Sequence, residues 1–212
     1  MRCTVLVLFI LLSAQALARD TLPGPVPGWR EVVFEGRTLY SLDSEHDCIR
    51  AEARGTASGL VRQLEAADQA GLLLRWQWRA EAPLVPGSEA PGAAALEKRR
   101  GGDDFLARVY VIHEGRFFWQ TRAVNYVWSR EQATGTVWPN PFTGNAIMVA
   151  VQSGEDGLGE WHSFERDVRA DFRRYHDIDI TGVSAVAIMT DADNTRGQAS
   201  ACYRLPRFGG GP

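Results

Sequence analysis

Cysteine and histidine are scarce in this chain, at three and four among 212 residues. None of His46, His113, His162 and His176 stands at ligand spacing from a cysteine or another histidine, which excludes the common zinc motifs. No Gly-x-Ser-x-Gly elbow and no phosphate-cradling glycine loop occurs, so a nucleophile-elbow hydrolase and a nucleotide site are both unsignalled. Basic charge is not in excess: 23 Lys and Arg stand against 26 Asp and Glu, with no basic stripe. Nucleic acid is therefore not an expected partner. After the first residues, no apolar run approaches the roughly 20 positions needed to cross a bilayer, so no membrane span is expected.

What is present begins with an export pattern. Arg2 is followed by the unbroken apolar run Val5 to Leu12 and by Ala16-Leu17-Ala18, a small-x-small cleavage signal. Residues 1–18 are expected to be a signal peptide, which places the remaining chain in the periplasm or outside the cell. Loss of Arg2 leaves 22 basic against 26 acidic groups, a formal charge of −4. Residues 19–28, with three prolines, read as an extended lead-in, 29–208 as a single domain, and 209–212 as a flexible tail. Export also leaves only Cys48 and Cys202. An even pair in an oxidising compartment predicts one disulfide, and strand alternation puts both thiols on polar faces, beside Arg50, Glu52 and Arg204.

Hydrophobic periodicity is mostly of period two. Leu72, Leu74, Trp76 and Trp78 alternate with Arg75, Gln77 and Arg79. Strands are also predicted around 30–34, 38–42, 48–53, 58–63, 105–112, 117–119, 123–128 and 146–152. The run Val183 to Met189 is apolar at nearly every position, as in a strand covered on both faces. One segment differs: Trp161, Phe164, Val168, Phe172 and Tyr175 recur at three and four, which predicts a strand at Trp161 leading into a helix near 167–175. Residues 83–102 form a long Pro/Gly/Ala-rich loop, either a lid or an insertion. Many short strands with one helix and no βαβ alternation predict a mostly β fold, an antiparallel sandwich of jelly-roll type.

The blocks Trp76-Gln77-Trp78-Arg79, Gly102-Asp103-Asp104-Phe105 with Ala107-Arg108-Val109-Tyr110-Val111, Asn125-Tyr126-Val127-Trp128, Asn140-Pro141-Phe142, and Ala187 to Asn194 form a set. Together they resemble one family of bacterial exported proteins, DUF3047. The blocks keep the family's order and span roughly 29–203. The resemblance implies no activity, because the family is named for an unknown function. The chain departs from the family pattern at Tyr175-His176-Asp177 and at Cys202-Tyr203-Arg204-Leu205. The ending also looks like that of galactose-binding-type jelly rolls in carbohydrate-binding modules, an analogy of fold that transfers no ligand.

Candidate site residues are few. Asp103 and Asp104 open a predicted strand and so point to opposite faces, which disfavours a joint acid/base role. Arg108, among apolar neighbours, needs a carboxylate from a neighbouring strand, as a structural ion pair or as part of a ligand grip. Asp191, Asp193 and Asn194 are hard oxygen donors that suit calcium. Arg196 and Cys202, however, occupy the positions where an EF-hand loop needs Gly and Glu. Otherwise no cofactor is signalled. Asn125 is read as a hydrogen-bonding group within the sandwich, and Trp76 and Trp78 as core. Trp128, Trp138 and Trp161, nearer turns, are candidates for stacking on a ligand. These features point to an exported, non-catalytic ligand-binding sandwich whose partner is a carbohydrate or envelope component, with its acidic bends open to water. The alternative is a hydrolase of envelope glycans, with carboxylates from Asp103/Asp104 and Asp191/Asp193 flanking a glycosidic bond.

Overall fold

The computed structural model describes residues 21–65, 71–87 and 97–209. The export segment, residues 88–96 of the long loop and the last three residues lie outside them. The strands are β1 (Thr21–Pro23), β2 (Arg30–Glu35), β3 (Leu39–Asp43), β4 (Cys48–Arg54), β5 (Ala57–Gln63), β6 (Leu73–Arg79), β7 (Arg108–His113), β8 (Arg122–Ser129), β9 (Val137–Pro139), β10 (Ala146–Ser153), β11 (His162–Asp167), β12 (Ala185–Asp191) and β13 (Gln198–Phe208). Helix α1 (Val168–His176) follows β11. They form a jelly-roll sandwich of two sheets, with orders β1-β2-β5-β12-β7-β8-β10-β9 and β11-β6-β13-β4-β3. Pairing is antiparallel except between β8 and β10.

The last two strands hold the two layers together. β12 inserts between β5 and β7 in the larger sheet, and β13 between β6 and β4 in the smaller. The interior alternates as the sequence predicts: Leu74, Trp76 and Trp78 of β6 face inward, and the intervening Arg75, Gln77 and Arg79 face out. Trp76 stacks between Tyr126 and Phe164, with ring centroids 5.2 and 5.1 Å away. Val186 and Ile188 of β12 meet this core, whereas Ala185, Ala187 and Met189 join a second apolar cluster on the opposite face with Val32, Val61, Tyr110 and Ile112. The larger sheet is thus apolar on both faces.

Helix α1 begins where Asp167 accepts a hydrogen bond from the Ala170 amide and ends at Asp177, in a left-handed conformation with φ 55°. Its Val168 and Phe172 reach the core.

Three predicted features differ. Phe117–Trp119 is not a strand; 118–120 is a single 3-10 turn between β7 and β8. The strand expected from 105 begins only at Arg108, because residues 103–107 are drawn aside by side-chain bonds described below. Trp128 does not lie at a surface bend: it is 1% exposed, faces the core with Tyr126, and donates its indole N–H to the Gly154 carbonyl at 2.9 Å.

Cys48 and Cys202 are bonded across β4 and β13, on the outer face of the smaller sheet, with Cα atoms 5.7 Å apart and 154 positions of separation. A cross-link of that span restricts the unfolded chain. Replacing both cysteines by serine is expected to lower unfolding free energy by about 2–5 kcal/mol, measured by denaturant titration of the oxidised chain beside the double variant. Equal midpoints would refute it.

Candidate functional site

Arg108 opens β7 on the outer face of the larger sheet, opposite Met189 and Val127, and only 2% of it is exposed. Its guanidinium is fully engaged. Nε donates to Asp191 Oδ1 at 3.0 Å, Nη2 to Asp191 Oδ2 and to the Asp103 carbonyl, and Nη1 to Asp103 Oδ2 at 3.4 Å. The Phe105 ring lies 4.4 Å from the guanidinium carbon, and the Phe105 amide donates to Asp191 Oδ1 at 3.1 Å. The partner on the neighbouring strand is therefore Asp191, at the end of β12.

Asp104 organises the following turn. Its carboxylate accepts from the Asn194 amide and side chain at 3.1 Å each and from the Thr195 amide at 2.6 Å. The acidic bends are accordingly not open to water: Asp103, Asp104 and Asp191 are buried and Asp193 is half-buried. Their burial reflects the donors supplied to them, since a buried charge persists only when paired. Asp104, Asp191 and Asp193 do bring oxygens within 4.8 Å of one another, a spacing that suits a cation. The oxygens of Asp104 and Asp191 are already committed to N–H donors, and Asn194 turns its amide N–H toward Asp104 and Asp193 rather than an oxygen toward a metal. The arrangement works as an internal charge network.

Burial pushes the Asp103 carboxyl up to about 6. Burial, then the adjacent Asp104 charge, pushes Asp193 up to about 7. Burial works against the Arg108 charge, but Asp191 foremost among its neighbours holds it protonated.

On the same outer face, a narrow cleft lies beyond this network. Val61, Tyr110, Ala187 and Met189 floor it, Phe34 stands on one side, and Thr143, Asn145 and Asn140 on the other. It encloses about 40 Å³. Gly59 also lines it, and a Cβ there would come within 3.3 Å of the Ile188 carbonyl. Asn140 links cleft and network by donating to Asp103 Oδ2 at 3.3 Å. Asn125, 1% exposed, donates its amide to the Ile147 carbonyl at 3.3 Å, while its Oδ1, also buried, accepts no hydrogen bond.

The sequence-predicted site residues do not all converge. Asp103, Asp104, Arg108, Asp191, Asp193 and Asn194 gather in the buried network, and Asn125 lies in the cleft. Trp128 is in the core, and Trp161 is on the far side, where the Arg204 guanidinium covers its ring at 4.3 Å. Trp138 is buried beside Phe105 and Met148. A wider groove of about 1030 Å³ crosses the smaller sheet, but its side chains largely bond one another, as in Arg75–Glu165, Gln77–Ser163 and Arg204–Gln77. Sequence reasoning missed the cleft residues Tyr110, Asn140 and Asn145 and the exposed Phe117-Phe118-Trp119. Three aromatics in a row cannot all face one side of a strand, which was the available signal.

A family described as "Protein of unknown function (DUF3047)" matches residues 27–205. No curated protein matches the chain. Among solved structures, the chain is similar to the family 11 carbohydrate-binding module of a cellulosomal cellulase of Clostridium thermocellum. Identity there is 11% over 91% of this chain and 93% of that one, with a TM-score of 0.41. It is also similar to the family 11 xylanase from Neocallimastix patriciarum, at 11% identity over 89% and 94%, with a TM-score of 0.46. At such identities these likenesses concern the fold alone.

Two outcomes follow from the network. Arg108→Met strands Asp191, so the variant should lose about 3–5 kcal/mol; adding Asp191→Leu should recover part of that loss in a double-mutant cycle. Asp103 and Asp193 keep a proton in the folded chain at pH values where the unfolded chain has released it. Their contribution is full below about pH 4 and is lost as pH rises through about 6 and about 7. His176, whose pKa burial lowers, titrates with the opposite sign, so the informative quantity is the difference between the chain and Asp193→Asn. That difference should move against the wild type as pH rises through about 7; a pH-independent difference would refute the assignment.

Proposed function

The chain belongs to the DUF3047 family, proteins of unknown function, and from that premise we propose that it is an exported, non-catalytic binding protein that takes a glycan in the cleft on its larger sheet. The observation that carries this reading is the buried, unsatisfied Oδ1 of Asn125. A buried acceptor without a donor costs free energy in the unliganded protein, roughly 1–3 kcal/mol, and a ligand hydroxyl removes that cost once a small shift of the Asn125 side chain turns its buried Oδ1 into the cleft. The surroundings suit the same chemistry. An apolar floor accepts the C–H side of a sugar, and the Thr143 and Asn145 side chains present polar groups to its hydroxyls. The enclosed volume admits the edge of a pyranose, such as a hydroxymethyl arm, rather than a whole ring, so the remainder of the sugar rests on the rim.

Two further observations support the reading. Asp191 is held by both oxygens to the Arg108 guanidinium, and Asp103 and Asp104 are buried with it, away from any open cleft that could take a glycosidic bond, which weighs against the hydrolase. The Cys48–Cys202 bond suits an oxidising compartment outside the cytoplasm, in keeping with the Val5–Leu12 export pattern.

The test is a glycan array followed by calorimetry on the hits. Asn125→Ala should weaken binding about tenfold, the equivalent of one good hydrogen bond, with the far-ultraviolet spectrum unchanged, and reducing-end assays on the same sugars should register no cleavage. A protein that binds no glycan, or binds equally with and without Asn125, refutes the reading.

A further inference from the structure

The turn joining β7 to β8 carries Arg116-Phe117-Phe118-Trp119-Gln120-Thr121-Arg122, and its three aromatics are 47%, 50% and 54% exposed. Adjacent bulky apolar side chains left in water mark contact surfaces. These three are not loosely held. The Phe117 and Trp119 rings stack at 4.7 Å with only 4° between their planes, and Phe118 stands edge-on to Trp119 at 5.0 Å and 82°. The turn beneath them is closed by Gln120 N–H to the Phe117 carbonyl at 2.9 Å and by Phe117 N–H to Gln120 Oε1 at 3.2 Å. Gly115 permits this folding-back, because a Cβ there would lie 2.3 Å from the Gln120 Cβ. The aromatics are pre-organised rather than collapsed onto the sheet.

Their position is fixed relative to the cleft. The Trp119 carbonyl accepts hydrogen bonds from Arg122 Nη1 at 2.8 Å and from Asn145 Nδ2 at 3.1 Å. Arg122 and Asn145 both line the cleft. The aromatic step and the slot that holds Asn125 therefore share two side chains and are parts of one continuous surface.

We propose that Phe117 and Trp119 form a second saccharide subsite, so that the ligand is a chain of linked sugars, one unit entering the slot above Asn125 and a neighbouring unit packing on the aromatic step. This rests on the glycan reading of the cleft and specifies its ligand as an oligosaccharide or polysaccharide rather than a free sugar. The slot is too narrow to enclose a ring, and polar side chains connect it directly to an exposed aromatic surface. A ligand confined to the slot would leave that prepared surface without use. A membrane interface is the competing occupant for exposed aromatics flanked by arginines, but the main-chain ties of Trp119 to two cleft residues favour a ligand shared with the cleft.

The experiment compares short and long fragments of one polysaccharide that binds in the array, using the full chain, Trp119→Ala and Asn125→Ala. Trp119 contributes to the rim through its carbonyl, which the alanine variant keeps, and its side chain is exposed, so folding is retained; Trp119→Phe serves as a second variant. For the wild type, affinity should rise about tenfold from short to long fragments. In Trp119→Ala that gain should vanish while short fragments bind as before; Trp119→Phe should keep most of the gain; Asn125→Ala should weaken both fragments. If Trp119→Ala binds long fragments as tightly as the wild type while Asn125→Ala is impaired, the second subsite is refuted and the cleft reading stands. If no fragment binds the wild type, both fall. Vesicles of phosphatidylglycerol and phosphatidylethanolamine form the last arm. Vesicle binding that is lost in Trp119→Ala, with oligosaccharide affinities untouched, overturns the proposal in favour of a membrane surface.

Discussion

A guanidinium with 2% of its surface exposed has to be surrounded by acceptors, and at Arg108 that requirement shapes a whole end of the molecule. Asp191 meets it side-on with both oxygens, Asp103 adds a carboxylate oxygen and a main-chain carbonyl, and Phe105 covers the planar face. The partners come from two distant places in the chain order, the segment 103–105 and the end of β12. Satisfying one charge therefore fixes where β7 starts, where β12 stops, and how the segment 103–105 crosses the outer face between them. Buried ion pairs seldom add much net stability, since desolvation cancels most of the attraction. Their effect here is on arrangement: a one-residue slip of β12 against β7 would carry Asp191 to the wrong face and leave Arg108 unpaired.

The second constraint is the double-sided apolar character of the larger sheet. Antiparallel sheets commonly keep one face in water and alternate accordingly. Here the inner face of β7, β8 and β12 meets the tryptophan-rich core, while the outer face carries Tyr110, Ile112, Ala187 and Met189. Phe105 and Trp138 cover part of that outer face together with Val127, Met148 and Ala150, and the network around Arg108 closes one end. The cleft is the part of the face that this covering leaves open. Its location thus follows from the same side chains that hold β7 and β12 in register.

The sequence made some of this legible and withheld the rest for identifiable reasons. The alternation of β6, the apolar run of β12 and the pairing of two cysteines are local signals, and each has its expected counterpart in the structure. Arg108 announced its need for a carboxylate on a neighbouring strand, because strand spacing ruled out Asp104; naming Asp191 required knowing that β12 pairs with β7. Residues 103–107 were misread as strand because their geometry is set by bonds to Arg108, Asp191 and the 194–195 turn, about 90 positions away. Trp128 was readable from its own alternation with Val124 and Tyr126, and its nearness to a turn concealed that. The cleft was out of reach altogether, since its lining is drawn from segments spread between Phe34 and Met189.

The two polar features of the outer face differ in how their polar atoms are satisfied. In the charge network most carboxylate oxygens have donors, and the aspartates can be buried because Arg108 and main-chain amides compensate them, although Asp103 Oδ1 and Thr195 Oγ1 are buried without a partner. In the cleft, Asn125 gives its amide to a main-chain carbonyl and keeps its buried oxygen without a donor. Low local dielectric makes such an omission costly. On the reading proposed above, the donor missing at Asn125 arrives with the ligand.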